Sequence, residues 1–226
     1  MQHFIILGTS TNCGKTYVTG LLAKFFYEQG IKVITQKWVQ TGAKSFSPDV
    51  KKHLKIAGIP FSEIKKYKDL VNPYCFKFPA SPHLAAKMEN KKINPSKIIK
   101  AYQKLAAEFD LVLVEGAGGV LVPLTENVLL IDLVKKLNLP VLLVIDNKLG
   151  AINETLLSIE ALQKRKINIL GLVFNQRKKN VPQQILGDNI KTISQLYSNI
   201  PWWQSHQGMK SITQDIVETF HKLLKL

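Results

Sequence analysis

The residues of this chain best suited to chemistry begin with the stretch Gly8–Thr16, GTSTNCGKT. Its glycines stand at 8 and 14, and Lys15 and Thr16 follow the second. A glycine-rich turn between a strand and a helix can aim backbone N–H groups at phosphate oxygens from the helix N-terminus. Lys15 would then supply a point charge to the β- and γ-phosphates of ATP, and Thr16 Oγ a ligand for Mg²⁺. The spacing is one residue longer than G-x-x-x-x-G-K-[ST], with Thr9 where that pattern has glycine. An ordinary glycine turn opening a helix is the bland alternative; strand, Gly-Lys-Thr and helix together argue against it. Thr11, Asn12, Cys13 and Tyr17 complete the segment expected to wrap the nucleotide, Cys13 as a small side chain more than as a reactive thiol.

A nucleotide site with Mg²⁺ also needs a carboxylate at the end of a neighbouring strand. Glu115 stands there, after LVLV and before Gly116, Ala117, Gly118 and Gly119. A tight turn with Glu115 merely solvated is the competing reading. Ligands, however, bind at the carboxyl ends of parallel strands, which favours the functional one.

The elements that must position these groups alternate in type. Short apolar runs at 4–8, 32–36, 110–116, 139–146 and 167–175 read as strands, the last three hydrophobic enough to be covered on both faces. Helices are expected at 15–29, 48–57, 81–89, 95–108, 127–137, 151–164, 182–197 and 211–225, and 61–80 is expected to be mostly irregular around Pro60, Pro73 and Pro79. The pattern is that of a doubly wound α/β protein, a mostly parallel sheet with helices on both faces, of the P-loop NTPase type. Without an internal repeat or linker, residues 1–226 are expected to form one domain.

Composition narrows the classes. A hydrophobic share of 46% with 21% charged residues is globular rather than disordered. The start MQHFIILGTS reads as a strand, not a secretory signal, and no apolar run spans a bilayer, so a cytoplasmic protein without membrane association is expected. Two cysteines, Cys13 and Cys75, are too few for a disulfide framework or zinc site. The net charge of +15 could suit nucleic acid, but its lysines are scattered and lack an aromatic or zipper signature. Solvated lysine-rich helices are the preferred reading, with no nucleic-acid partner.

With these pieces placed, the chain resembles the dethiobiotin synthetase family in eight ordered blocks: GTSTNCGKT, KWVQTG (37–42), VNPYCF (71–76), SPHLAA (81–86), EGAGG with VP (115–123), KLGAIN (148–153), GLVFN (171–175) and IPW (200–202). The resemblance implies an ATP- and Mg²⁺-dependent carboxylation and ring closure. CO₂ or bicarbonate and 7,8-diaminopelargonic acid would give a carbamate, then a carbamic–phosphoric anhydride, then dethiobiotin. It implies Lys15 and Lys37 as the catalytic charges and Thr41 beside the substrate amines. Thr16, Asp49 and Glu115 would hold Mg²⁺, and Gly118 would touch substrate as well as nucleotide. Asn175 would read adenine between walls formed by Pro201, Trp202 and Trp203, although Trp202 could equally be core or a surface aromatic. Gly150, Ala151 and Asn153 would open a helix that grips the substrate carboxylate from the opposite subunit of a homodimer. Lys37 follows the KVITQ strand, which sets it apart from the many surface lysines. The sequence departs from the family at Asn12, Trp38 and Gln176, where acid, proline and Asp are common, and QSHQG lacks an acid after IPW.

Two rivals are weaker. Partitioning and metal-insertion ATPases carry an extra lysine near the place of Thr9 or Ser10, absent here. A cobyric-acid-type amidotransferase needs a glutaminase domain for which the chain has no room.

Overall fold

The computed structural model describes residues 3–177, 180–206, 208, 209, 211 and 212. Phe4–Gly8 (β1) is the apolar strand that leads into the glycine loop, and Lys15–Glu28 (α1) is the helix leaving it. Val33–Lys37 (β2), Leu111–Glu115 (β5), Val141–Asp146 (β6), Ile169–Gln176 (β7) and Trp202–His206 (β8) join β1 in a parallel sheet, ordered β2-β5-β1-β6-β7-β8. Every residue of β1, β2, β5 and β6 is buried, as expected of strands covered on both faces. From β1 the chain steps to β2 on one side and later to β6 on the other. Because β5 then inserts between β1 and β2, the carboxyl ends of these three strands lie side by side, at the edge of the sheet where α/β proteins bind ligands.

The edge strand Trp202–His206 (β8), parallel to β7, was not anticipated. Its alternation, with Trp203 and Ser205 buried and Trp202, Gln204 and His206 exposed, is the period-2 pattern of an edge strand. Only five residues long, it was hidden by the proline and paired tryptophans at its start.

The stretch 61–80 is more ordered than expected. Phe61–Ile64 (α3), a 3₁₀ turn at Lys65–Tyr67 and Lys68–Val71 (α4) form successive helical turns. Ile64, Tyr67 and Val71, spaced by three and four, bury on one side and supply the apolar stripe that makes these turns stable. Beyond them, Tyr74–Cys75 (β4) pairs in parallel with Val39–Gln40 (β3), bringing VNPYCF against KWVQTG.

The remaining helices are Pro48–Ala57 (α2), Pro82–Met88 (α5), Pro95–Glu108 (α6), Leu130–Lys136 (α7), Ala151–Lys164 (α8) and Gln183–Leu196 (α9). Ser47 caps α2 by accepting from Val50 N at 3.1 Å, and Pro48 supplies the preset φ of a first helical residue. The helix expected at 211–225 lies, beyond Ser211 and Ile212, outside the described residues. No helix among the described residues is long and apolar enough to cross a membrane.

Candidate active site

Gly14 begins the site. Its φ of 109° is left-handed, and a Cβ there would stand 1.8 Å from Asn175 Nδ2, so both backbone conformation and space demand glycine. Gly8 has the complementary reason: an added Cβ would meet Cys13 Sγ at 2.2 Å. Cys13 is fully buried, as a small packing residue should be. The loop and the first turn of α1 place Thr11, Asn12, Gly14, Lys15, Thr16 and Tyr17 along a cavity of about 900 Å³.

Lys15 Nζ donates to Ser10 O at 2.9 Å and Gly118 O at 2.8 Å, bridging the loop to the glycine turn after β5. On the opposite side Lys37, at the end of β2, sits in register with Glu115 at the end of β5. Its Nζ lies 2.6 Å from Glu115 Oε1 and 2.9 Å from Asp49 Oδ2, and donates to Gly116 O at 3.0 Å. Thr16 Oγ1 donates to the same Glu115 Oε1 at 3.1 Å. Glu115 is buried, and burial alone would push its carboxyl up. The Lys37 ammonium and the hydrogen bond from His53 outweigh that and hold it well below the usual carboxylate range. Burial would likewise lower Lys37, but Glu115 and Asp49 beside it raise it, so the lysine stays charged.

Of the expected residues, Lys37, Thr41, Asp49, Glu115, Ala117, Gly118 and Asn175 share the cavity with the loop. The other expected residues lie elsewhere. Cys13 and Gly116 are buried behind its wall. Trp202 is 41% exposed, with its ring edge-on to Phe174, and buried Trp203 packs against the place of a Gly171 Cβ; neither they nor Pro201 line the cavity. Gly150, with φ 89°, caps α8; Ala151 is buried, Asn153 is exposed, and none of the three lines the cavity. Asn175 donates from Nδ2 to Cys13 O at 2.8 Å and accepts from Ser205 Oγ at 2.8 Å. One amide hydrogen and one oxygen lone pair remain for another partner.

Several contributors escaped the sequence reading. His53, fully buried on α2, places Nε2 2.6 Å from Glu115 Oε2. Its spacing of four from Asp49, which puts both on one helix face, was the available signal. Asn72 ties the site's backbone: Nδ2 donates to Lys37 O at 3.0 Å and Tyr74 O at 2.9 Å, and Oδ1 accepts from Ser47 N at 3.1 Å. Ser47 Oγ donates to Gln40 Oε1 at 2.6 Å. Trp38, where proline was expected by resemblance, is wholly buried and donates from Nε1 to Gln36 Oε1 at 3.0 Å. Arg177, Lys52 and Lys55 add positive charge to the cavity, and the Arg177 guanidinium donates to Asn12 O.

A parallel sheet whose central strand runs through a glycine loop into a helix, with a lysine and a carboxylate on the adjoining strand ends, defines a P-loop ATPase-type α/β protein. Residues 2–205 match the family model described as an AAA domain. The ATP-dependent dethiobiotin synthetase BioD 2 of Haemophilus influenzae is 46% identical over 170 residues, covering 75% of this chain and 88% of that protein. The ATP-dependent dethiobiotin synthetase BioD of Lysinibacillus sphaericus strain C3-41 is 38% identical over 99% of this chain and 97% of its own. The chain belongs to the dethiobiotin synthetase family. Among solved structures, the pNOB8 ParA protein bound to nonspecific DNA superposes with a TM-score of 0.55 at 15% identity, covering 99% of this chain and 93% of that one. A ParA family ATPase from Chlorobium tepidum gives 0.54 at 13% identity, covering 100% and 90%. At such identities the likeness concerns the fold alone.

Proposed function

We propose that this protein uses ATP and Mg²⁺ to carboxylate 7,8-diaminopelargonic acid with CO₂ and close the ureido ring of dethiobiotin, releasing ADP and phosphate. Family membership supports the overall reaction. The observation that carries the site assignment is Lys37, buried between Asp49 and Glu115 on the cavity that the phosphate loop lines.

One substrate amine adds to CO₂ and gives a carbamate beside Thr41. The carbamate oxygen attacks the γ-phosphorus of ATP, ADP leaves, and a carbamic–phosphoric anhydride forms. The second amine attacks the carbamoyl carbon and expels phosphate, completing the ring. No protein nucleophile is needed. Catalysis by this chain consists of holding the reactants together and neutralising the charge that spreads during phosphoryl transfer. Lys15 and Lys37 would supply the neutralising charge, flanking the phosphates and the carbamate.

Thr16 Oγ1, Glu115 and Asp49 are hard oxygen donors gathered around Lys37, a set that fits Mg²⁺ bound through one or two carboxylates and the phosphates. When bound there, Mg²⁺ supplies charge neutralisation at the β- and γ-phosphates. Asn175 presents its remaining donor and acceptor to adenine. The N-terminus of α8, opened by Gly150, Ala151 and Asn153, would receive the substrate carboxylate of a neighbouring subunit in a homodimer through its first-turn backbone, although the Ala151 N–H itself donates to Lys148 O. The six-stranded sheet and the core cluster packed on it support reading residues 1–226 as a single domain; a cytoplasmic location belongs to the same proposal.

The test is incubation of folded protein with diaminopelargonic acid, bicarbonate, Mg²⁺ and ATP. Dethiobiotin and substrate-dependent phosphate should appear together. Absence of both sinks the reading.

A further inference from the structure

Glu115 has two carboxylate oxygens, and the fold treats them differently. Oε1 accepts from Thr16 Oγ1 at 3.1 Å and Lys37 Nζ at 2.6 Å, and both donors line the cavity. Oε2 is 2.6 Å from His53 Nε2. His53 does not line the cavity; it is fully buried on α2, one helical turn beyond Asp49. An ionised carboxylate only accepts, so the imidazole carries a proton on Nε2, and Nδ1 has no hydrogen-bond partner among the described residues. The hydrogen bond is therefore directional and desolvated. Withdrawing Oε2 from it would leave a buried N–H without an acceptor, a desolvation cost that water does not repay.

We propose that His53 is a positioning residue that restricts Glu115 to a single available oxygen and so makes this site select Mg²⁺ over Ca²⁺. The inference rests on the reading of Glu115 as a cation ligand. Mg²⁺ takes near-octahedral coordination with single carboxylate oxygens, whereas Ca²⁺ accommodates more ligands and readily takes both oxygens of one carboxylate. Tying Oε2 to His53 removes the two-oxygen mode while leaving the one-oxygen mode intact. Hydrogen-bond partners of ligating carboxylates characteristically change metal affinity by about 10–100-fold when removed.

Equilibrium titration tests this without turnover. The full-length protein is saturated with a fluorescent ADP analogue, and apparent affinities for Mg²⁺ and Ca²⁺ are read from its signal. His53→Leu removes the donor, and His53→Asn is too short to reach Oε2. His53→Gln can place an amide N–H near the position of Nε2. Leu and Asn variants that melt cooperatively should lose roughly 10-fold or more of the Mg²⁺ preference, and the Gln variant should keep most of it. Should Leu fail to fold, Asn carries the comparison. A folded Leu or Asn variant with the wild-type ratio, or a Gln variant as impaired as either, overturns the inference. Glu115→Gln separates the two levels. Cation dependence persisting in that variant overturns the ligand reading itself. Its loss there, with unchanged ratios in the His53 variants, overturns only the role of His53.

Discussion

An ammonium group only 5% exposed remains charged at Lys37 because carboxylate oxygens of Asp49 and Glu115 lie 2.9 and 2.6 Å away. Desolvation of both signs is offset by mutual attraction, by the bonds Glu115 receives from Thr16 and His53, and by the bond Lys37 donates to Gly116 O. A transferring phosphoryl group in this cavity would find a positive charge that needs no reorganisation. Lys37→Ala should therefore lower kcat by roughly 10²-fold or more, the scale seen when one preorganised charge-stabilising donor is removed. It should also destabilise the ligand-free protein, because Glu115 and Asp49 lose their shared cation; breaking a buried pair costs about 3–5 kcal/mol, here less because Asp49 is partly solvated. Single-turnover kinetics and thermal melting check the two effects, and unchanged turnover would remove Lys37 from the mechanism.

Among the elements, α2 does the most positioning for its length, since it carries both Asp49 and His53 toward strand ends β2 and β5. Its start is pinned by Ser47, which accepts from Val50 N and donates to Gln40, while Asn72 holds Ser47 N and Lys37 O together. Ser47→Ala should cost about 1–2 kcal/mol through the lost cap. Because the loosened end carries Asp49, apparent Mg²⁺ affinity should weaken more than the affinity for nucleotide without cation. Denaturant melts and paired binding titrations, with and without Mg²⁺, read the two consequences; equal weakening of both affinities would mean that the cap only stabilises the fold. Helix α2 itself was legible from Pro48 and its apolar spacing. Its partners were not, because Asn72 lies far along the chain from Ser47 and Lys37 and meets them only when β4 is brought beside β3.

At the scale of the whole molecule, the exposed start of α8, with Leu149 80% exposed and Gly150 at positive φ, makes sense if a second copy completes the site. A two-fold assembly with shared sites has a measurable consequence. Lys37→Ala and Asn153→Ala subunits, each of low activity alone, should on mixing and re-equilibration recover roughly a quarter of wild-type activity. That is the statistical share, since half the dimers are mixed and each holds one intact site. No recovery, in a preparation whose mass distribution proves subunit exchange, would place both residues in a site built by one chain.

Much of this protein was determined locally and could be read from the sequence. The apolar runs specify parallel strands, GTSTNCGKT needs only its own glycines and the helix start to define a phosphate loop, and Glu115 declares itself by ending a buried strand. Resemblance in ordered blocks added Lys37 and Asp49. Tertiary structure alone decided which groups meet. Burial of His53 against Glu115, the Asn72 ties, the bond from Asn175 to the loop carbonyl of Cys13 and the edge strand at Trp202–His206 all depend on contacts between residues far apart in the chain. Hydrophobic periodicity records which face of an element is covered, but not which polar atom waits on the other side. For that reason the unequal surroundings of the two Glu115 oxygens became visible only once α2 had brought His53 to the end of β5.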